Sequence, residues 1–247
     1  MKALYSIAFF LFSVSLYAQQ QSELYEEDVP LIYHHEMSIG WNVHSNGMGA
    51  VFRKGKQKTV SRKHYYEVEA VGMQHPKEYK FTYYEDGGKF VFGKLNSLML
   101  VRTGLGVQRI ICGKGDRLGV EVRFNNFAGI SWGFAKPVYL YVLVPAKDGS
   151  QKREPEIRKY DPYRYNVDDI YAQADYKYGL SELSVYPGLY AKTGFSFDFA
   201  SFDTGIKGLE TGVVIDAFPK VIPVMAFTRN PQVYLSFYFT VYFGTKW

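Results

Sequence analysis

The chain has 247 residues, with 29 Lys and Arg against 24 Asp and Glu and a formal net charge of +5. So mild a balance gives no electrostatic reason to expect nucleic acid as a partner, and a single cysteine excludes a disulfide framework or a four-cysteine zinc site. Aromatic residues at 18% beside charged residues at 21% exclude a mostly disordered chain and a conventional helical membrane protein.

Met1 and Lys2 open on an apolar run that ends at Leu16, followed by Tyr17, Ala18 and the polar Gln19, Gln20, Gln21 and Ser22. A basic start, an apolar centre and a small residue at the cut predict a signal peptide over residues 1–18, leaving 19–247 as one domain. Beyond the leader the longest uncharged apolar stretch is 137–146, far below the ~20 residues of a spanning helix. A membrane crossing here would therefore be made by strands. Cys112 has no partner in its chain and is read as a structural or incidental thiol.

The dominant period along the chain is two. In 36–44, Met37, Ile39, Trp41 and Val43 alternate with Glu36, Ser38, Gly40, Asn42 and His44, which predicts a strand with one apolar and one polar face. Segments 48–53, 62–73, 79–84, 89–92 and 97–109 follow less cleanly, separated by turn signals such as Ser45-Asn46-Gly47 and Glu85-Asp86-Gly87-Gly88. Alternation returns in 119–133, weakens through 138–144 and 184–199, and recurs in 209–217. It is sharpest in 233–243, where Val233, Leu235, Phe237, Phe239, Val241 and Phe243 alternate with polar residues and tyrosines. No amphipathic helix of ten or more residues is predicted.

An exported β-sandwich would alternate in the same way, and it is the aromatic bulk of the presumed outer faces, with the aromatic last strand, that makes these eleven segments predict an all-β, antiparallel transmembrane β-barrel. A closed bacterial barrel with both termini in the periplasm needs an even count, so ten strands are expected within a range of eight to twelve. Either 79–92 is a hairpin outside the wall or a strand hides between residues 23 and 34. Counting back from a last strand that ends in the periplasm puts the long connections 145–183 and 218–231 outside the cell, where the longer loops of such barrels lie. The segment ending in Phe239, Val241 and Phe243 resembles the aromatic C-terminal strand that outer-membrane assembly machinery recognises. The tail Gly244-Thr245-Lys246-Trp247 departs from that pattern.

Local motifs go further: 44–49 (HSNGMG), 55–59 (GKQKT), 75–78 (HPKE), 135–140 (AKPVYL) and 187–192 (PGLYAK). Through them the chain, from about Tyr33 to Gly244, resembles a family of uncharacterised outer-membrane β-barrel proteins of the Bacteroidota. The resemblance implies compartment and fold, and brings no catalytic residue.

Three groups of side chains are singled out. Glu67, Glu69, Arg102, Glu121, Arg123, Lys192, Glu210 and Asp216 fall on predicted inward faces and carry both signs, so they are expected to pair across a plugged lumen. Tyr160, Tyr163, Tyr165, Tyr171, Tyr176 and Tyr178 make 145–183 too aromatic for a disordered loop. That segment is expected to pack over the mouth or dock a protein partner. Arg53, Lys54, Lys56 and Lys58, with Arg62 and Lys63, form a basic cluster placed outside by the same count, as candidate contacts for lipid phosphates, those of lipopolysaccharide included. The five histidines, His34, His35, His44, His64 and His75, are read as interfacial or loop residues, because neighbours such as His34 and His35 point to opposite faces of a strand. No cofactor, metal or catalytic residue is expected. The leading expectation is a non-enzymatic outer-membrane barrel that is an accessory or structural subunit binding another envelope component, such as a protein assembly or secretion machine. A small-solute pore and a lipid-modifying enzyme are the alternatives.

Overall fold

The computed structural model describes residues 34–59, 61–113, 119–146, 153–200 and 205–247. The expected signal peptide and the segment 23–33 lie outside these. Eight strands close into an antiparallel barrel: β1 (His35–His44), β2 (Gly47–Gln57), β3 (Arg62–Met73), β6 (Asn96–Cys112), β7 (Glu121–Pro137), β11 (Ser184–Asp198), β12 (Gly205–Ala217) and β13 (Val233–Lys246). β13 pairs with β1, so first and last strands seal the wall. The tail beyond Phe243 is part of that seal: Lys246 sits opposite Glu36, and the Trp247 N–H donates to the His35 carbonyl at 2.9 Å.

Eight is the lower bound of the expected range, and ten is two too many. Three of the eleven segments are not in the wall. Residues 79–84 and 89–92 contribute the two-residue strands β4 (Lys80–Phe81) and β5 (Phe90–Val91), paired in a small hairpin. Residues 138–144 become β8 (Tyr139–Pro145), the centre of a separate sheet with β9 (Arg153–Lys159) and β10 (Ile170–Gln173).

The barrel has a terminal end, carrying His35 and Trp247, and a distal end. At the distal end lie the tight Ser45-Asn46 turn and the connections 74–95, 138–183 and 218–232. Gly47 allows the first of these: a Cβ there would come 1.8 Å from the Gly72 carbonyl oxygen. Both long connections therefore share one end, as the strand parity requires. Loss of 138–144 from the wall reverses the parity of everything before it, β7 and β6 included, and loss of the pair 79–84 and 89–92 changes nothing further. The end of β2, the turn after it and the start of β3, which together carry the basic cluster, then belong to the terminal end and not to the end with the long loops.

The wall is polar inside and apolar outside. In β13 the tyrosines Tyr234, Tyr238 and Tyr242 point inward and are buried, while Val233, Leu235, Phe237, Phe239 and Phe243 are exposed. Outward Trp41 is 74% exposed, Leu105 71% and Phe237 64%. A continuous exposed belt of this kind is not a surface that water-soluble monomers keep. Closure also leaves no unpaired edge, as hydrocarbon surroundings demand.

An eight-stranded barrel is just wide enough for side chains to fill it, and here inward rings face inward glycines. A Cβ at Gly106 would meet the Phe127 ring at 2.1 Å, and one at Gly208 would meet the Tyr242 hydroxyl at 2.4 Å.

Candidate functional site

The lumen holds three layers. Nearest the termini, the Lys63 ammonium donates to Glu36 at 2.8 Å, and Arg123 pairs with Glu121 and, at 2.7 Å, with Asp198. In the middle lies a chain of alternating charge that begins and ends on β12. Arg53 meets Glu210 at 2.5 and 2.8 Å and Glu67 at 2.7 Å. Lys192 bridges Glu67 at 3.4 Å and Glu69 at 2.6 Å. Arg102 then joins Glu69 at 2.5 Å to Asp216, which it grips through two nitrogens at 2.9 and 2.7 Å.

Neutral groups complete the network. Asn125 and Tyr238 donate to Glu210, Asn42 to Glu69 and Ser131 to Asp216, each at 2.7 to 2.9 Å. His44 Nε2 lies 2.9 Å from Glu69. Glu67, Glu69, Arg102, Glu210 and Asp216 are all 0% exposed, so the lumen at this level is filled with side chains. Above them, Val71, Met73, Leu98, Leu100 and Ala135 pack with Phe218, Ile222, Val224 and Met225 from the 218–232 connection. That connection enters the mouth and is pinned there. Asn230 Oδ1 accepts from the Val224 and Met225 N–H groups, and Leu95 N–H donates to the Val224 carbonyl at 2.9 Å.

The structure brings all eight residues singled out for the lumen inside the barrel. Sequence reasoning missed Arg53, Glu36, Lys63, Asp198 and His44 as members. The signal for Arg53 was its parity: it is two residues from buried Val51 on the same face. Arg53 must therefore be removed from the basic cluster as a lipid contact, because its guanidinium is buried and committed to two carboxylates and lies 4.6 Å from the Phe127 ring centre. Lys63 leaves the cluster for the same reason. Lys54, Lys56, Lys58 and Arg62 do point outward, at the terminal end.

A folded cap covers the distal end. Phe90, Val138, Leu140, Val142, Tyr160 and Ile170 form its core, with Phe81, Phe92, Leu95, Tyr165 and Val167 packed on it. The tyrosines of 145–183 divide accordingly. Tyr160 is buried, its hydroxyl accepting from the Gly93 N–H at 3.2 Å, and burial raises its pKa above the usual phenol value, with Asp161 adding to the rise and the Gly93 contact opposing it. Tyr165 lies against the core, Tyr171 donates to the Asp86 carbonyl at 2.7 Å, and Tyr178 packs against Tyr139. Tyr163 and Tyr176 remain 92% and 66% exposed. On the flank of the cap, the carboxyl of Glu182 accepts from Lys159 at 2.6 Å and from the Tyr139 hydroxyl, and these two contacts hold it below the usual carboxylate range.

The remaining histidines are scattered. His35 stacks on Trp247 at the seal, His64 faces outward, and His75 Nδ1 accepts from the Lys77 N–H in a distal turn. Cys112 is exposed at the terminal end of β6.

No protein-family model matches the sequence, and no curated protein does. Among solved structures the chain is similar to Ail, the attachment invasion locus protein of Yersinia pestis, at 9% identity and a TM-score of 0.43, over 88% of this chain and 100% of that one. A second structure of Ail, in complex with the heparin analogue sucrose octasulfate, aligns at 8% identity and a TM-score of 0.40, over 87% and 97%. Neisserial surface protein A aligns at 10% identity and a TM-score of 0.42, also over 87% and 97%.

Proposed function

We propose that this chain is a non-enzymatic outer-membrane β-barrel whose folded cap docks another envelope component, as an accessory subunit of a protein assembly or secretion machine. Membership of the Bacteroidota family belongs to the same proposal. The observation that carries it is the pairing of a filled lumen with an ordered cap that leaves Tyr163 almost wholly exposed. Tyrosine is a large, amphipathic anchor of protein interfaces, and a hydrophobic core beneath the cap means it orders little on binding. The alternating charge chain supports a scaffold over a pore, because a conducting path would have to part several buried ion pairs. Lys54, Lys56 and Lys58 then meet lipid phosphates in the leaflet at the terminal end.

A photo-crosslinking residue at Tyr163, in cells, tests the docking role. The expected result is a discrete adduct with an envelope protein, absent when the same probe replaces wall residue Leu105. Crosslinks at Tyr163 that match the Leu105 background would defeat it. Planar-bilayer current from the purified chain would instead favour the pore.

A further inference from the structure

A groove of about 940 Å³ runs along the distal rim where the wall is lowest, beside the tight Ser45-Asn46 turn. Its wall is one row of paired residues across four strands: Met48 on β2, Gly72 on β3, Met99 on β6 and Phe134 on β7. Met48 and Met99 are exposed, and between them Gly72 leaves a trough. A Cβ at Gly72 would meet nothing closer than the Met48 carbonyl oxygen at 3.9 Å, so neither turn nor packing requires glycine there. One row deeper the paired residues Ala50 and Ala70 continue the trough, between outward Trp41 and Trp132.

The other bank carries one cation without a paired carboxylate, beside the neutralised pair of Lys94 and Glu78. Lys136 is 6% exposed and lines the groove. Its ammonium donates to the Tyr178 carbonyl at 3.0 Å and sits 4.4 Å from the Tyr176 ring centre, and among the described residues no carboxylate pairs with it. Lys94, also lining the groove, pairs with Glu78 at 2.5 Å. His44 reaches the same groove from the lumen, and its buried Nδ1 has no hydrogen-bond partner among the described residues. A buried ammonium that holds a carbonyl and an aromatic face but no anion is incompletely neutralised. The groove is thus apolar along the wall, where the outward Met48 and Met99 are exposed, and carries the Lys136 ammonium at the rim.

We propose that this groove seats one phosphorylated, multiply acylated saccharide lipid of the outer leaflet, of the lipid A class. An acyl chain lies in the trough over Gly72 and Ala70, and a phosphate takes the remaining donors of Lys136, with Lys94 beside it. The choice of an outer-leaflet lipid rests on the outer-membrane orientation proposed above, which places the distal rim outside. Because Lys136 is buried, a phosphate there is paired in a partly desolvated place, unlike one at the exposed lysines of the terminal end.

The test is native mass spectrometry of the full chain in mild detergent, with purified diphosphorylated lipid A or phosphatidylglycerol added as probe. One retained lipid A per chain is expected, with phosphatidylglycerol lost at the same activation energy. Lys136→Gln and Gly72→Leu are each expected to lower lipid A retention by about tenfold or more, and Lys207→Gln, on an outward face at the terminal end, to leave it unchanged. Heat-modifiable gel migration shows which variants are folded, and Gly72→Leu, which enters open space, serves if Lys136→Gln misfolds. Equal retention of phosphatidylglycerol, absence of any lipid A adduct, or retention unchanged in the folded variants would overturn the proposal. None of these outcomes bears on Tyr163, so the groove and the docking surface fail independently.

Discussion

Replacing Arg102 by Met removes the cation at the distal end of the lumen's charge chain. The two carboxylates it serves are not left equal. Glu69 keeps Lys192 at 2.6 Å, with Asn42 and His44 each at 2.9 Å. Asp216 keeps only the Ser131 hydroxyl at 2.8 Å among its described side-chain partners, and it is 0% exposed. Removing one partner of a buried pair typically costs about 3–5 kcal/mol, because the other charge stays buried without compensation. Arg102→Met is expected to lose that amount. Adding Asp216→Asn, which neutralises the stranded carboxylate, is expected to restore about 1–3 kcal/mol of it, a coupling of the size neighbours in one network show. Urea titration of the chain refolded in detergent micelles, followed by Trp fluorescence and gel mobility together, measures both. An Arg102→Met variant within about 1 kcal/mol of wild type, the range of an exposed pair, or a double variant no more stable than the single, would refute a dry, tightly coupled lumen.

Gly106→Val puts side-chain atoms where the Phe127 ring lies, and overpacking of this kind should cost about 1–3 kcal/mol or more in the same titration. Tyr160 has its pKa raised by burial from an ordinary value of 10.0. Above pH 10 the folded cap therefore holds a proton that the unfolded chain has lost, and its stability falls as pH rises. Protease nicking within 145–183 should accordingly increase above pH 10 in wild type and do so less in Tyr160→Phe, where Tyr139, raised by its hydrogen bond to Glu182, keeps the remainder. For orientation, a membrane-impermeant maleimide should label Cys112 only after the outer membrane is permeabilised, whereas Tyr163→Cys in a Cys112→Ser background should be labelled on intact cells. The reverse pattern would invert the barrel.

Much of the wall was legible because a barrel in lipid writes its two faces into alternate residues. β13 shows this without interruption from Val233 to Phe243, and the same parity assigned Glu67, Glu69, Arg102 and Asp216 to the inside. The alternation of β2 is legible only as far as Arg53, whereas the strand runs to Gln57. Its last outward residues are Lys54 and Lys56, and lysines there look like a loop. The early stop also places Arg53 with the loop cations and outside the lumen. β8 looks like wall in the sequence because a strand covering a hydrophobic core alternates as one facing lipid does. Only the full strand lengths separate the two, since 48–53, the legible part of β2, is no longer than 138–144. Wall strands run from 10 to 17 residues, whereas β8 has 7 and β4 and β5 have 2 each, short of the ~9–11 a spanning strand needs.

The rim groove was not legible at all. It depends on register, which sets Met48, Gly72, Met99 and Phe134 side by side from four strands distant in sequence. The matching of Phe127 to Gly106 is hidden for the same reason, since both are ordinary strand residues until the pairing of β6 with β7 is known.

Whether the greasy face of this cylinder sits among lipids is decided by fractionation of lysed cells. The processed chain is expected to pellet with outer-membrane vesicles, to withstand high salt and alkaline carbonate, and to leave only with detergent. Recovery of folded chain from the aqueous extract without detergent would contradict that placement.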